Sequence, residues 1–262
     1  MPQYRAAILR MEGTNNEAEV YRAFEETQIL PEYVHIKELE KKQRSLEEFQ
    51  ALFIPGGFSA GDYIRAGILF AARLMESSRA EIEKFVDEKK PVIGTCNGFQ
   101  VLAESGLLPD IDGKMSRDMV LSVNRSGRFE CRTVYIKFSG NNHIMSSTLK
   151  KGQVLQVPVA HKEGQVIFRN RKVLEKLHEN GQAIFTYVDE EGRKGEYPWN
   201  PNGSVDGIAG ICNPEGNVIG LMPHPERAFN PYNMSGRERE GKTSTGRLFF
   251  KAIYNYINAH SL

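Results

Sequence analysis

Cys96 stands between two glycines in Gly94-Thr95-Cys96-Asn97-Gly98, directly after the apolar run Pro91-Val92-Ile93. Glycines two residues either side of a cysteine, at a strand-to-helix reversal, make the cysteine form of a nucleophile elbow. The reversal is so tight that side chains at the flanking positions would collide, and the nucleophile takes a strained backbone. The sulfur then stands clear of the sheet's carboxyl edge at a helix N-terminus, which favours the thiolate. A buried cysteine after a core strand is the ordinary alternative. The elbow becomes chemistry only if a base lies nearby.

Met222-Pro223-His224-Pro225-Glu226-Arg227 offers one. Catalytic groups of α/β sheets gather at the carboxyl ends of strands, and His224 follows a strand-like run with Glu226 two residues on. A thiol nucleophile needs a base to take its proton and return it to the leaving group. That base needs an acceptor to hold its tautomer. The flanking prolines limit where the imidazole points. Alone, His-Pro-Glu reads as a surface turn; with the elbow upstream, Cys96, His224 and Glu226 become a coherent triad. A third loop, Ile54-Pro55-Gly56-Gly57-Phe58-Ser59, ends a short strand in glycines whose N–H groups lack side-chain cover. It can supply one oxyanion donor beside the N–H of Asn97. Gly57 is the expected donor, Gly56 the alternative, and a plain turn the competing reading.

These groups need a frame, and the periodicity supplies one. Ala6–Leu9, Tyr33–Ile36, Ala51–Ile54 and Pro91–Gly94 read as strands, with helical spacing over 17–27 and 64–89 between them. The charged stretch 37–48 reads as a solvated connection or helix face. Such alternation signals a parallel sheet with helices on both faces. Farther on, Val134–Phe138 and Val154–Val159 alternate, Ile208–Cys212 and Asn217–Met222 read as a hairpin, and 245–259 reads as a last helix. No Pro-, Gly- or Ser-rich linker divides the 262 residues, so one domain, 1–262, is expected.

Composition sets mild limits. Hydrophobic content of 40%, charged content of 26% and a formal net charge of +1 are ordinary for a soluble globular chain and give no reason to expect a nucleic-acid or membrane surface. Cysteines at 96, 131 and 212 make neither a disulfide framework nor a zinc site. With no apolar leader after Met1 and no bilayer-length run, a cytoplasmic location is expected. Cys131 and Cys212, lacking an elbow, are expected to be buried structural thiols.

Taken together, Gly94-x-Cys96-x-Gly98-x-Gln100, the upstream Pro-Gly-Gly loop and the downstream His-x-Glu resemble the class I (triad) glutamine amidotransferases. Longer blocks narrow the likeness: Gly13-Thr14-Asn15, the stretch from Pro55 through Phe58-Ser59-Ala60-Gly61-Asp62-Tyr63 to Gly67, Cys96–Gln100, His161-Lys162-Glu163-Gly164, Asn200–Ser204 and Ala209–Asn213. They are similar to the glutaminase subunits of phosphoribosylformylglycinamidine synthase, over about residues 5–257.

The resemblance implies an open, mostly parallel, flavodoxin-like α/β sheet flanked by helices, with added antiparallel strands in the second half. It implies that Cys96 attacks L-glutamine to form a γ-glutamyl thioester, with His224 as base and acid, Glu226 as its orienter, Gly57 and Asn97 on the oxyanion, and Gln100 helping to hold the substrate. Ammonia would pass to a PurL-like synthetase subunit, with a small PurS-like accessory subunit, for purine biosynthesis. ATP and Mg would sit on the synthetase, leaving this chain without metal or cofactor. The missing Gly-x-x-x-x-Gly-Lys phosphate loop agrees with that.

Departures are local. Asn16 replaces a cysteine common in the family, and Ala60 replaces a tyrosine. Residues 229–245 read as a docking loop or a surface insertion. His161 reads as a group of the glutamine pocket, of the partner interface, or as a structural histidine. The alternative fold-mates, the DJ-1/PfpI type, usually carry histidine directly after the nucleophile, where this chain has Asn97.

Overall fold

The computed structural model describes residues 4–233, 244–260 and 262. Of the segment 229–245, residues 234–243 lie outside the described residues. In chain order the elements are β1 (Tyr4–Arg10), α1 (Glu17–Glu26), β2 (Ile29–His35), α2 (Ile36–Glu40), β3 (Ala51–Ile54), α3 (Ile68–Asp87), β4 (Val92–Thr95) and α4 (Asn97–Glu104). Then come β5 (Met119–Val123), β6 (Glu130–Phe138), β7 (Val154–His161), β8 (Glu163–Phe168), α5 (Arg171–Glu179), β9 (Ala183–Val188), β10 (Ile208–Cys212), β11 (Val218–Leu221) and α6 (Thr245–His260).

Nine strands form one sheet in the order β2-β1-β3-β4-β11-β10-β9-β6-β7. From β2 to β11 every pairing is parallel, and from β11 to β7 every pairing is antiparallel. β5 and β8 form a separate antiparallel pair. The parallel strands are covered on both faces, which is why β3, β4 and β11 are buried at every position instead of alternating. On one face Phe70, Leu74 and Phe85 of α3 and Phe99 and Leu102 of α4 join Leu52, Ile54 and Val92. On the other, Phe24 of α1 and Phe250 of α6 close on Phe53 of β3, with ring centroids 5.1–5.7 Å apart. Offset and edge-to-face ring pairs of this kind add about 0.5–1.5 kcal/mol each beyond the area they bury.

Three segments differ from their sequence patterns. The helix expected from residue 64 begins at Ile68, because 58–67 folds over the elbow with Ala60, Asp62 and Ile64 at positive φ. The charged stretch 37–48 holds most of α2 and a helical turn at Leu46–Glu48 and is not wholly solvated: Leu39 and Leu46 are buried, while Arg44 pairs with Glu32 and Glu47 with Lys84. Cys131 is exposed, not buried: its side chain lies on the open side of β6, between buried Glu130 and the half-buried Arg132. Cys212, at the end of β10, is buried as expected.

The elbow depends on how closely backbone approaches backbone. A Cβ at Gly94 would lie 2.6 Å from the Gly98 carbonyl, and one at Gly98 would lie 1.8 Å from the Ile54 oxygen of β3. Neither neighbour is a flexible side-chain tip that could swing aside. Gly98→Ala is therefore expected to cost about 1–3 kcal/mol or more, the usual range for overpacking a core, and to lower the melting midpoint by several degrees. Calorimetry checks this; a midpoint within about 1 °C of wild type, where each kcal/mol is worth about 2–4 °C at this size, would refute the clash.

Candidate active site

β4 and β11 run parallel with Gly94 opposite Gly220 and Thr95 opposite Leu221. At the end of β4 the chain reverses at Cys96, whose φ of 51° and ψ of −108° place it outside the ordinary regions, and enters α4 at once. The Cys96 N–H donates to the Leu221 carbonyl at 2.9 Å, so Cys96 is tied to the strand from which His224 departs. Its thiol points to the Ala160 carbonyl at 3.6 Å, at the end of β7.

From β11 the chain passes through Met222 and Pro223 to His224, whose N–H donates to Pro158 of β7 at 2.9 Å. Nδ1–H of His224 donates to Glu226 Oε1 at 2.6 Å, and both side chains are buried. Thr95 Oγ1 donates to the same carboxylate oxygen at 3.4 Å. The tautomer is thereby fixed, and Nε2 has no partner among the described residues. Burial lowers the basicity of this imidazole, but the Glu226 charge and then Cys96 outweigh it, and the net shift is strongly upward. The turn is braced from behind: a Cβ at Gly246, in the first turn of α6, would lie 2.3 Å from the Pro225 oxygen and 2.5 Å from Phe229.

The loop after β3 meets both groups. A Cβ at Gly56 would lie 2.7 Å from His224 Cε1 and 3.3 Å from Cys96 Cβ, so glycine there lets imidazole and thiol approach. Gly57, at φ 144°, bridges Thr14. The two bonds of that bridge, from Phe58 N–H to Gly13 and from Asn15 N–H to Gly56, leave the Gly57 N–H turned away from residues 13–15. Asn16 is anchored beside the triad, its carboxamide oxygen accepting from Arg227 Nε at 2.7 Å and Nη2 at 2.6 Å.

Gln100, one turn into α4, has both polar ends engaged by protein. Its oxygen accepts from Asn97 Nδ2 at 2.8 Å, and its nitrogen donates to the Glu163 carbonyl at 2.6 Å. Asn97 Oδ1 in turn accepts from Ser59 at 2.5 Å, and Asn97 Nδ2 also reaches Asp62 at 3.4 Å. Glu163 Oε2 accepts the Ala66 N–H at 3.1 Å. Three loops are laced together around the elbow through side chains, and Ser59, Asp62 and Glu163 join the site as residues whose roles the motifs alone did not single out. Their signal was present in the Phe-Ser-x-Gly-Asp and His-Lys-Glu-Gly blocks that contain them. His161 is buried beside this network, with Nδ1 3.1 Å from Asn124 Oδ1.

On the 58–67 segment Phe58, Tyr63 and Ile64 expose apolar side chains, and the exposed Phe129 ring stacks on Phe58 at 6.5 Å. No group of three His, Cys, Asp or Glu side chains among the described residues is arranged to hold a metal ion, and no described helix is long and apolar enough to cross a membrane.

The Asp62 carboxylate, beside Asn97, carries a pH signature. Burial first, and then the charge of Glu163, push Asp62 up to about 6 from an ordinary 3.8. The folded state thus binds the Asp62 proton more tightly than the unfolded chain, so this group's contribution makes stability fall as pH rises from 3.8 to about 6. Asp62→Asn keeps the acceptor oxygen and removes the charge. It is expected to melt above wild type at neutral pH, with the advantage shrinking as pH drops through that window. Melting curves across pH check this, and a constant gap would show that Asp62 does not titrate there.

Comparison with known proteins places this geometry in a family. Residues 3–257 match the model of the CobB/CobQ-like glutamine amidotransferase domain. The chain is 51% identical to phosphoribosylformylglycinamidine synthase subunit PurQ of Picrophilus torridus, over 97% of this chain and 99% of that protein. It is 46% identical to the subunit of the same name from Archaeoglobus fulgidus, over 97% of each. Among solved structures it is similar to PurLQS from Thermotoga maritima, with a TM-score of 0.74 and 31% identity over 97% of this chain and 99% of that one. The chain belongs to the glutamine amidotransferases, and within them to the family of phosphoribosylformylglycinamidine synthase glutaminase subunits named PurQ.

Proposed function

We propose that Cys96, His224 and Glu226 are the residues with which this glutaminase subunit hydrolyses L-glutamine. The observation that carries the assignment is the buried 2.6 Å bond from His224 Nδ1–H to Glu226, which leaves Nε2 free above a nucleophile whose backbone is tied to the same strand. Cys96 gives its proton to Nε2 and attacks the γ-amide carbon. The negative charge moves to the amide oxygen, where the N–H groups of Gly57 and Asn97 receive it. Collapse of the intermediate breaks the C–N bond as the imidazolium returns its proton to nitrogen, leaving ammonia and a thioester that water then cleaves. Gln100, with both polar ends already engaged, acts through position: it fixes the 160–164 loop at the substrate's side.

The ammonia goes to a synthetase subunit of the PurL kind, which amidates formylglycinamide ribonucleotide with ATP and Mg held on that subunit, in purine biosynthesis in the cytoplasm. A small accessory subunit of the PurS kind completes the complex, and this chain acts as a single catalytic domain without a cofactor of its own. Support for a partner seated over this face comes from the exposed apolar side chains of Phe58, Tyr63, Ile64 and Phe129, which water alone would cover poorly.

Cys96→Ala is expected to abolish glutamine-dependent synthesis by the assembled complex while synthesis from added ammonium salt persists. Assays with each nitrogen source check it, and glutamine-dependent turnover in the variant would remove Cys96 from the mechanism. His224→Ala should cost more than Glu226→Gln, by about tenfold or more, because the first deletes the proton carrier and the second leaves a neutral acceptor. Equal, full activity of both variants would reduce His-Pro-Glu to a structural turn.

A further inference from the structure

Asn16 stands where a helix cap belongs, at the start of α1, and its side chain does not cap. At the start of α5, Asn170 accepts the Val173 N–H at 3.1 Å in the ordinary way. The Asn16 oxygen instead accepts from both Nε and Nη2 of Arg227, at 2.7 and 2.6 Å. Asn16 is buried. A capping asparagine that leaves its own helix uncapped needs another reason for its place, and its partner is the residue directly after Glu226.

Arg227 belongs to the turn that carries His224 and Glu226. Its N–H donates to the His224 carbonyl at 3.2 Å, and Glu19, in the first turn of α1, pairs with its guanidinium at 3.8 Å. The start of α1 thus holds the His-Pro-Glu turn through two bonds to one planar guanidinium, which fixes direction as well as distance.

The backbone of the same residue holds the loop after β3. The N–H groups of Asn15 and Asn16 both donate to the Gly56 carbonyl, at 3.4 and 3.3 Å. A trans peptide is planar, with its C=O and N–H pointing in opposite directions. Holding the Gly56 carbonyl therefore aims the Gly57 N–H away from residues 15 and 16. At Gly56 the two loops meet: a Cβ there would lie 2.9 Å from the Asn16 carboxamide and 2.7 Å from His224 Cε1. β3 and β11, from which these loops leave, are separated in the sheet by β4, so no ladder bond joins them.

We infer that Asn16 is a positioning residue of the glutaminase reaction. Its backbone holds the Gly56-Gly57 peptide, its side chain holds the His224–Glu226 turn, and the two are kept in register through it. The inference rests on the glutaminase reading above. In the attack step a proton leaves Cys96 for His224 while charge grows on the amide oxygen, so proton acceptor and oxyanion donor must be correctly spaced at the same moment. The link serves the transition state and not the hold on glutamine, so its loss falls on kcat and spares KM.

The test is a double-mutant cycle in the complex with its synthetase subunit, measuring glutamate release and, separately, synthesis from added ammonium salt. Asn16→Leu keeps the branched shape and removes the acceptor; Arg227→Met keeps the length and removes the donors. Each should lower kcat for glutamine roughly tenfold, less than the ~10²–10³ of losing an oxyanion donor outright. KM should stay within about twofold, and synthesis from ammonium should persist. The double variant should fall no further than the worse single one, because both break one link. Unchanged kcat, additive losses, or a parallel loss of ammonium-supported synthesis, the mark of a merely structural role, would overturn the proposal. Should Asn16→Leu yield no soluble chain, Arg227→Met decides alone by its kcat and KM. Glutamate release that persists in Cys96→Ala would instead count against the triad reading, so the two failures are distinguishable.

Discussion

The hydrogen bond from the Cys96 N–H to the Leu221 carbonyl sets the height of the elbow against the strand that delivers the imidazole. It continues the parallel ladder of β4 and β11 one step beyond the last paired residues, Thr95 and Leu221. Everything chemical hangs from that step. His224 leaves β11 three residues later and is pinned to β7 through Pro158, while the thiol meets Ala160 on the same strand. Cys96 and His224 are thus placed by backbone bonds across three strands, with little left to side-chain freedom. Reacting groups placed in this way forgo a large orientational cost, which is where much enzymatic acceleration originates.

The ladder can come this close to α4 only because of three glycines. Gly94 and Gly98 allow the reversal, and Gly220, opposite Gly94, leaves room for the Phe99 ring, which would lie 2.1 Å from a Cβ there. The elbow's pattern of small residues is therefore visible in the sequence on one strand and completed, through space, on another.

That division describes how much could be read in advance. Cys96, His224 and Glu226 could be singled out because their signals are local: a glycine-flanked cysteine after an apolar run, and a histidine and glutamate two residues apart after another. β1, β3, β4, α1 and α6 were legible from periodicity. β5, β8 and β9 were not, since β8 opens with Glu163-Gly164-Gln165 and pairs with β5 some forty residues earlier, so no local pattern fixes it. The start of α3 was misjudged because Asp62 and Ile64 occupy left-handed backbone that helical spacing cannot foresee. Gln100 belongs to the elbow motif in sequence, but its engagement by Asn97 and by a carbonyl 63 residues away depends on tertiary geometry. The exposure of Cys131 likewise follows from which side of β6 is covered, which sequence leaves open.

The seat of α6 against the His-Pro-Glu turn has a consequence for biosynthesis of the chain itself. Gly246 rests on Pro225 and Phe229, Ser244 donates to the Phe229 carbonyl at 2.6 Å, and Phe250 completes the aromatic cluster beneath β3. Of the long elements described, α6 leaves the ribosome last, at a pace of about 5–20 residues per second. Until it docks, the turn carrying His224 and Glu226 lacks its support. On a growing polypeptide that support arrives only once translation has run past residue 250, well after the strands that flank the turn.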